Sequence, residues 1–289
     1  AGAGRSSEAL QLINRLPKSV QNHAAVSHFQ ASVASEHGDF EKAKVLLQKA
    51  LAVTPTSPHF LFALAMLKRF QLNDKDFGYL KAAEKEAGRY DGKTQARLQY
   101  AIAKAHIDVG DIDTGFAYYD RGARLRSLDE AYDSERTKRF ADKLISDFST
   151  QGLGRLAQST FAGSNAIFVN GLPRSGSTLV ESILVSHSKV SDGAEINLMQ
   201  PALIPTIDYS YQGALRYQTN LDGKDPWGAI ASDYHRMISE RFPNGQLIVD
   251  KTLNQSMLMG LILHCLPDAR VIWMRRNAAD NALSAYTAY

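Results

Sequence analysis

The sequence is poor in cysteine and has no long apolar segment, and both absences narrow what the chain can be. Its 289 residues include one cysteine, Cys265, which excludes an internal disulfide and a metal site built from a cysteine cluster. No apolar run approaches the roughly 20 residues that a membrane-spanning helix needs. The formal net charge is only +3, which does not indicate a nucleic-acid partner but leaves room for a local anion-binding pocket.

The first residues lack the features of a leader sequence. The chain begins with Ala1 rather than Met, and residues 1–7 have neither the charged nor the apolar region of a signal peptide. We therefore expect the native N-terminus to be absent and the protein to be cytoplasmic. What the sequence does contain is ordinary for a globular protein, with 44% hydrophobic and 22% charged residues, and its length predicts two domains.

The first third of the chain is typical of helices joined by tight turns. Residues 26–52 are rich in helix-forming types, are interrupted at Gly38-Asp39 and end before Pro55, which predicts a helix, a turn and a second helix. Five small or turn residues recur 72 residues later. The pairs are Ala31 with Ala103, Gly38 with Gly110, Asp39 with Asp111, Ala43 with Gly115, and Ala50 with Gly122.

Seventy-two residues correspond to two units of about 36, which resembles the helical hairpin of the tetratricopeptide repeat. Residues 58–90, between the two good copies, keep Ala65 in phase but lack the turn glycine, so we interpret them as a degenerate copy. The resemblance implies an α-helical solenoid over residues 1–128, followed by a helical connector over residues 129–162. A generic helical bundle is the alternative interpretation.

The residue composition and the spacing of the apolar residues both change near Gly163. Three short apolar runs, residues 166–170, 247–249 and 270–274, predict buried strands. Helical patterns lie between them, at residues 178–187, 227–242 and 254–265. Strands that alternate with helices predict an α/β domain with a parallel sheet over residues 163–289. Ligands of such sheets bind at the carboxyl ends of the strands.

The first predicted strand runs into the loop Gly-Leu-Pro-Arg-Ser-Gly-Ser-Thr, residues 171–178, and then into a helix. This arrangement turns backbone N–H groups and a helix N-terminus toward an anion. A Walker A loop would have lysine where Ser177 stands. Here the fixed cation is Arg174, which can form two hydrogen bonds to a phosphate or a sulfonate. A simple strand-to-helix turn is the less specific alternative.

The loop resembles the 5′-phosphosulfate loop of the sulfotransferases that use 3′-phosphoadenosine-5′-phosphosulfate (PAPS), usually P-R-S-G-T-T. The family's second motif, an arginine at a strand end and a serine eight residues later, falls on Arg276 and Ser284 and implies the 3′-phosphate site, with Arg275 as the competing choice. The resemblance implies that the 5′-phosphate and the transferred sulfonate are held by Arg174, Ser175, Gly176, Ser177 and Thr178.

The same resemblance implies two catalytic residues. Glu195, in Ser-Asp-Gly-Ala-Glu, resembles the second glutamate of the G-E-E motif of tyrosylprotein sulfotransferases, which is the base. Lys251 follows the strand at 247–249 and resembles the lysine that contacts the leaving bridging oxygen, where a cation stabilises developing negative charge. An exposed loop carboxylate and a surface lysine at a strand end are the alternatives.

The sequence thus resembles a PAPS-dependent sulfotransferase that needs no metal, fused to tetratricopeptide repeats as in some bacterial proteins. The acceptor would be a hydroxyl; analogy favours tyrosine in a polypeptide that the repeats present, and a carbohydrate or a small phenol stays open. Tyr211 and Trp227 are candidate walls of the acceptor pocket. His187 and His264 are interpreted as helix-packing residues rather than bases.

Two other functions are compatible with parts of the sequence. Asp250, at the end of Leu-Ile-Val-Asp, could belong to the Walker B element of a kinase or NTPase, although the loop lacks the required lysine. A non-catalytic scaffold whose repeats bind peptides is the other alternative. The sulfotransferase fold continues beyond the 3′-phosphate motif, so we expect the domain to be incomplete at its C-terminus.

Overall fold

The structure, a computed structural model, describes residues 6–127, 132–221 and 224–288. It forms two compact units, Ala1–Tyr132 with Tyr286–Tyr289, and Asp133–Ala285. The first unit is helical, and the second contains a parallel sheet with helices around it. Within the described ranges, no helix combines the length and the apolar character needed to cross a membrane.

The first unit consists of successive helices, of which the longest pack as neighbouring pairs. Helix α3 packs on α4, and α7 packs on α8. The helices are α1 (Ser6–Asn14), α2 (Lys18–Gln21), α3 (Ala24–Glu36), α4 (Phe40–Val53), α5 (Pro58–Leu67), α6 (Asp76–Lys85), α7 (Gly92–Asp108) and α8 (Ile112–Ser127).

The turns within these two pairs have the same geometry. Gly38 and Gly110 have φ angles of 78° and 88°, in the left-handed region that glycine enters at low cost. The following residues, Asp39 and Asp111, each donate the backbone N–H to a carbonyl five residues earlier, at 2.9 and 3.0 Å. Their carboxylates then cap the next helix. The predicted helix, turn and helix is confirmed at both places.

Small residues let the paired helices approach closely. Ala31, Ala43, Ala50 and Ala103 are all at most 1% exposed. A Cβ on Gly122 would lie 2.7 Å from ring carbons of Tyr100, so a larger residue there would push α8 away from α7. The recurring small positions of the sequence are therefore the contact positions of the helix pairs, as their spacing indicated.

The second unit alternates helices and strands after two connecting helices. Its elements are α9 (Ser134–Asp147), α10 (Thr150–Leu153), β1 (Ala166–Asn170), α11 (Ser177–Val185), β2 (Val190–Asp192), α12 (Met199–Leu203), α13 (Tyr211–Thr219), α14 (Pro226–Arg241), β3 (Leu247–Asp250), α15 (Met259–Cys265), β4 (Arg270–Trp273) and α16 (Ala278–Tyr286). Short 3-10 turns occur at Ala87–Arg89 in the first unit and at Ile204–Thr206 and Gln255–Met257 in the second.

The four strands form one parallel sheet in the order β2-β3-β1-β4. The three predicted strands and their parallel arrangement are confirmed, but β4 is an edge strand with Arg270 and Trp273 exposed, so the prediction that it is buried is wrong. Strand β2 was not predicted, because its three residues, Val-Ser-Asp, carry no apolar run. The predicted helix over 254–265 is wrong in its first turn: Asn254 has a φ of 66°, which an α-helix cannot include, and α15 begins at Met259.

Large apolar side chains fill the space between the sheet and its helices. Phe168 of β1, Ile248 of β3, and Trp227 and Tyr234 of α14 are all fully buried in one cluster. The prediction that Trp227 lines an acceptor pocket is therefore wrong, since its indole lies inside this core. The cluster fixes α14 against the sheet and leaves the strand ends free to carry functional loops.

Candidate active site

The carboxyl ends of the four strands lie along one edge of the sheet. In the register, Phe168 of β1 stands beside Asp250 of β3, and Asn170 of β1 beside Trp273 of β4. From β1 the chain crosses to β2 on one side of the sheet, whereas β4 lies on the other side. From β3 the chain crosses to β4 in the opposite direction, so the ends of β1 and β3 flank a topological switch point, which is where α/β sheets bind their ligands.

The loop after β1 needs glycine at two positions. A Cβ on Gly171 would lie 2.8 Å from the Cβ of Met274, so the loop can pass the end of β4 only without a side chain there. Gly176 has a φ of 99° and precedes the first turn of α11. Arg174, with a φ of 69°, adopts the left-handed conformation without being glycine, a strained geometry of the kind that clusters at functional sites.

This loop and the segment after β4 form one pocket of about 350 Å³. The Arg276 guanidinium donates to the Arg174 carbonyl oxygen at 3.0 Å, and Arg174 Nε donates to Ser284 Oγ at 3.1 Å. The structure thus brings together all seven residues predicted to hold the nucleotide. They are Arg174, Ser175, Gly176, Ser177, Thr178, Arg276 and Ser284.

The pocket suits a phosphate or sulfonate group. Ser175 Oγ is buried and has no hydrogen-bond partner among the described residues, so a ligand oxygen would satisfy it. Arg174 and Arg276 supply two fixed cations. Ser177 and Thr178, the first two residues of the nine-residue helix α11, line the same pocket, so the positive end of the helix lies beside it. A donor set of this kind fits the phosphosulfate and 3′-phosphate groups of PAPS.

The neighbouring Arg275 does not share this position. It is exposed and is not among the residues that line the pocket. The structure therefore brings Arg276, the choice that the eight-residue spacing favoured, to the loop and to Ser284. This difference makes Arg275 a matched control for any substitution of Arg276.

A second charged cluster is centred on Lys251. Its Nζ lies 3.5 Å from a carboxylate oxygen of Glu195 and 3.5 Å from one of Glu181. The Lys251 side chain is 11% exposed and that of Glu181 9%, whereas Glu195 is 49% exposed. The two predicted catalytic residues are thus neighbours, with the carboxylate of Glu195 open to solvent and therefore to a substrate.

The sheet itself sets the position of this pair. Beyond the last residue of β2, the Gly193 N–H donates to the Val249 carbonyl at 3.0 Å, and the Lys251 N–H donates to the Ala194 carbonyl at 2.9 Å. A Cβ on Gly193 would lie 2.2 Å from the Val249 oxygen, so only glycine allows this approach. The β2–β3 pairing therefore continues to the residues beside Glu195 and Lys251.

Glu181 is a site residue that the sequence analysis missed. It lies on α11, four residues after the pocket residue Ser177. Along the helix axis the two residues are therefore about 6 Å apart. Burial raises the pKa of Glu181, nearby Asp192 adds to this shift, and Lys251 opposes it. The available signal was a single carboxylate within Ser-Thr-Leu-Val-Glu-Ser-Ile-Leu-Val, an otherwise uncharged helix.

Replacing Glu181 with glutamine should change how stability depends on pH. Because folding raises the pKa of Glu181 above its ordinary value of 4.5, the protonated carboxyl favours the folded state. That contribution is complete below pH 4.5 and is lost as pH rises through the raised pKa. We therefore expect the stability of wild type relative to Glu181→Gln to fall as pH rises across this window.

Urea unfolding followed by tryptophan fluorescence measures the stability of the second unit, which contains Glu181. Both tryptophans, Trp227 and Trp273, lie in that unit. Glu240→Gln, on a carboxylate that is 65% exposed in α14, is the matched control. A relative stability that rises with pH would mean that attraction to Lys251 outweighs burial, and would contradict the prediction.

Asp250 has a structural role. It is fully buried, and its carboxylate accepts hydrogen bonds from the backbone N–H and hydroxyl of Thr252, the amide of Gln255 and the hydroxyl of Tyr234. These four donors occupy the oxygens that a Walker B aspartate would turn toward a hydrated magnesium ion. The geometry therefore weighs against the kinase or NTPase interpretation and agrees with a residue that holds the turn after β3.

His264 and His187 both have structural contacts rather than a place in the anion pocket. His264 Nε2 lies 2.7 Å from the Ala157 carbonyl oxygen, and its ring packs against Trp227. Burial lowers the pKa of His264. His187 Nδ1 accepts from the Lys189 N–H at 3.1 Å, just after α11. Neither histidine lines the anion pocket. His264 packs as interpreted, whereas His187 is exposed and holds the turn after α11, so its interpretation as a helix-packing residue is wrong.

The fold and the site define an α/β domain whose strand ends carry an anion-binding loop, two arginines and a lysine between two carboxylates. Residues 166–289 match the sulfotransferase family. This part of the chain is a sulfotransferase family domain, and the match supports sulfonyl transfer as its general chemistry. The matched segment begins at the first residue of β1 and includes the loop, Glu195, Lys251 and the Arg276–Ser284 segment.

One relative extends the similarity to the helical part. The chain is 25% identical over 293 residues to a protein of Aquifex aeolicus (strain VF5) that is described only as uncharacterized. The similarity covers 96% of this chain and 37% of that protein, so the chain spans little more than a third of its relative's length. No solved structure matches the chain.

Proposed function

We propose that this chain belongs to an enzyme that transfers a sulfonate group from PAPS to the hydroxyl of an acceptor, for which we favour tyrosine in a polypeptide. The observation that carries the proposal is the anion pocket. Seven residues from two segments about 100 positions apart line it, and the helix that begins there carries the carboxylate that contacts Lys251.

Each part of the pocket has a distinct task in this proposal. Arg174, Ser175 and the N–H groups at the start of α11 bind the 5′-phosphosulfate end, and Arg276 with Ser284 binds the 3′-phosphate. PAPS, when bound, supplies the sulfonate that is transferred. Because Arg276 and Ser284 both contact Arg174, binding at one end of the nucleotide orders the residues that bind the other end.

Glu195 accepts the proton of the acceptor hydroxyl while the hydroxyl oxygen forms a bond to the sulfur of the sulfonate. The bond between sulfur and the bridging oxygen of the 5′-phosphate breaks at the same time, opposite the incoming oxygen. Lys251 stabilises the negative charge that collects on that leaving oxygen. The products are the sulfate ester and adenosine 3′,5′-bisphosphate, and Glu195 holds the proton until water removes it.

In this proposal the helical unit is a tetratricopeptide-like array, and it presents the acceptor polypeptide. Its support is the recurrence of the same turn at Gly38 and Gly110 and of the same buried small positions in both helix pairs. The proposal for the whole protein is therefore an enzyme whose substrate is held by one part of the chain and modified by another.

Isothermal titration with adenosine 3′,5′-bisphosphate and with AMP tests the nucleotide assignment. Wild type should bind the bisphosphate more tightly than AMP. Arg276→Ala should weaken bisphosphate binding by about 10- to 100-fold, which is the affinity that hydrogen bonds to a charged group contribute. AMP binding should be affected less, because AMP has no 3′-phosphate. Arg275→Ala, which removes an equal charge outside the pocket, should bind both ligands as wild type does.

Two results would overturn the assignment. The first is binding of the bisphosphate no tighter than AMP by wild type. The second is an equal loss of affinity in Arg275→Ala and Arg276→Ala, because a general effect of positive charge would then explain the binding and no specific 3′-phosphate site would be needed.

A further inference from the structure

The second unit contains another cavity, of about 440 Å³, whose lining includes none of the residues assigned above to the nucleotide, the base or the cation. Its volume is within the usual range for sites that bind small molecules. Three segments enclose it: helix α9, the stretch from Gln200 to Tyr211, and the turn that follows β3. All three belong to the same compact unit. The cavity is distinct from the anion pocket, with which it shares no lining residue.

The walls of this cavity are mainly apolar and aromatic. Phe140 and Leu144, one turn apart on α9, form one wall. Tyr211 contributes a ring whose hydroxyl is already bonded to the Gly152 carbonyl at 2.7 Å, so the tyrosine presents its apolar body. Met257 and Leu258 close a third side. Aromatic rings and a thioether are favourable contacts for another aromatic ring.

Two polar residues that line the cavity lie in or just after the loops that carry Lys251 and Glu195. Asn254 is three residues beyond Lys251, and Gln200 is five residues beyond Glu195. The two loops are tied together here. The Asn197 N–H donates to Thr252 Oγ1 at 2.8 Å, and the Asn197 amide donates to Gln200 Oε1 at 3.2 Å. A ligand in the cavity therefore has one end beside the loops that carry the proposed base and cation.

Backbone strain is concentrated around the same cavity. Ile207, Tyr209 and Asn254 have φ angles of 72°, 55° and 66°, and Asn197 has 48°. Residues other than glycine rarely adopt a positive φ, so the backbone is strained at each of these positions. Asp208 holds the strained segment by accepting hydrogen bonds from Ser210 and Arg216.

We infer that this cavity binds the body of the acceptor, that the body is an aromatic ring bearing the reactive hydroxyl, and that Leu144 of α9 is a specificity-determining residue. The inference rests on the proposed sulfonate transfer, whose acceptor it defines. Helix α9 precedes the segment that matches the sulfotransferase family, so the acceptor preference is set partly by a connecting helix outside the matched domain.

The test compares two neighbouring residues of α9. Leu144→Trp fills the cavity, whereas Ile145→Trp adds the same side chain at a position that is 74% exposed and does not line it. Full-length proteins saturated with adenosine 3′,5′-bisphosphate are titrated with 2-naphthol, and its fluorescence reports binding. The same proteins are then assayed with PAPS for transfer to 2-naphthol, a tyrosine-containing peptide and a disaccharide.

We expect Leu144→Trp to weaken naphthol binding and raise the KM for aryl acceptors by at least about tenfold, the effect of losing an apolar contact surface of ring size. Bisphosphate affinity should not change, and Ile145→Trp should behave as wild type. Transfer to the peptide as well as to naphthol indicates a tyrosine side chain as the natural form of the ring, and transfer to naphthol alone indicates a free phenol.

Two kinds of failure are distinguishable. Equal naphthol binding by wild type and Leu144→Trp, or transfer to the disaccharide but to neither aryl acceptor, would overturn the cavity assignment. Absence of transfer by wild type to any probe would overturn the proposed function. The binding titration would still decide whether the cavity holds an aromatic ring, because it does not depend on turnover.

Discussion

Glu195→Gln should lower the turnover of sulfonate transfer by about 100- to 10,000-fold, the usual contribution of a positioned general base. Glutamine keeps the shape of the side chain but cannot accept the acceptor's proton. The Glu195 side chain is half exposed and lies at the end of the β2–β3 pairing rather than in the anion pocket. Its replacement should therefore leave affinity for adenosine 3′,5′-bisphosphate unchanged.

Single-turnover assays with PAPS, together with calorimetric titration of the bisphosphate, separate these two effects. Glu240→Gln is the matched control, because it neutralises an exposed carboxylate whose partner is Arg236 on the same helix. Turnover that is undiminished in Glu195→Gln would remove this residue from the mechanism. Equal losses in both variants would indicate a general charge effect.

Lys251→Met should have a double effect. Turnover should fall by about 100- to 1,000-fold, as when one donor to a developing negative charge is removed. The folded state should also be destabilised at neutral pH, because Glu181 is buried and would lose its cationic neighbour at 3.5 Å. Methionine fills a similar space, so the loss of charge dominates both effects.

The double variant Lys251→Met/Glu181→Gln separates the two roles of the lysine. Removing both charges should restore much of the stability while turnover stays low. Lys189→Met, at an exposed lysine just before the amino end of β2, controls for the substitution itself. Recovery of turnover together with stability would show that Lys251 only supports the fold, and would contradict its role at the leaving oxygen.

Features that depend on local sequence were predictable. Strand β1 and the loop after it follow from a short apolar run and a glycine-bearing motif, and the position of Arg276 follows from its spacing to Ser284. The parallel sheet then places these segments side by side. The two helix pairs of the first unit could also be predicted, because the glycine in each turn is a local sequence signal.

Features that arise only from packing were not predictable. Glu181 looks like an ordinary helix residue until α11 packs beside the sheet and buries its carboxylate near Lys251. Trp227 looked like a pocket wall because nothing in the sequence distinguishes a core indole from an exposed one. The cavity beside α9 combines three segments separated by more than 40 residues along the chain, and their sequences carry no shared motif.

The two charged assemblies of the second unit differ in how they are built, and this has a consequence for partial unfolding. Glu195 and Lys251 are anchored by main-chain bonds that extend the sheet, whereas the nucleotide pocket needs a serine from the short last helix, α16, to reach Arg174. Local melting of that helix would release the donor substrate and leave the base–lysine arrangement intact. Loss of nucleotide should therefore precede loss of catalytic geometry on heating.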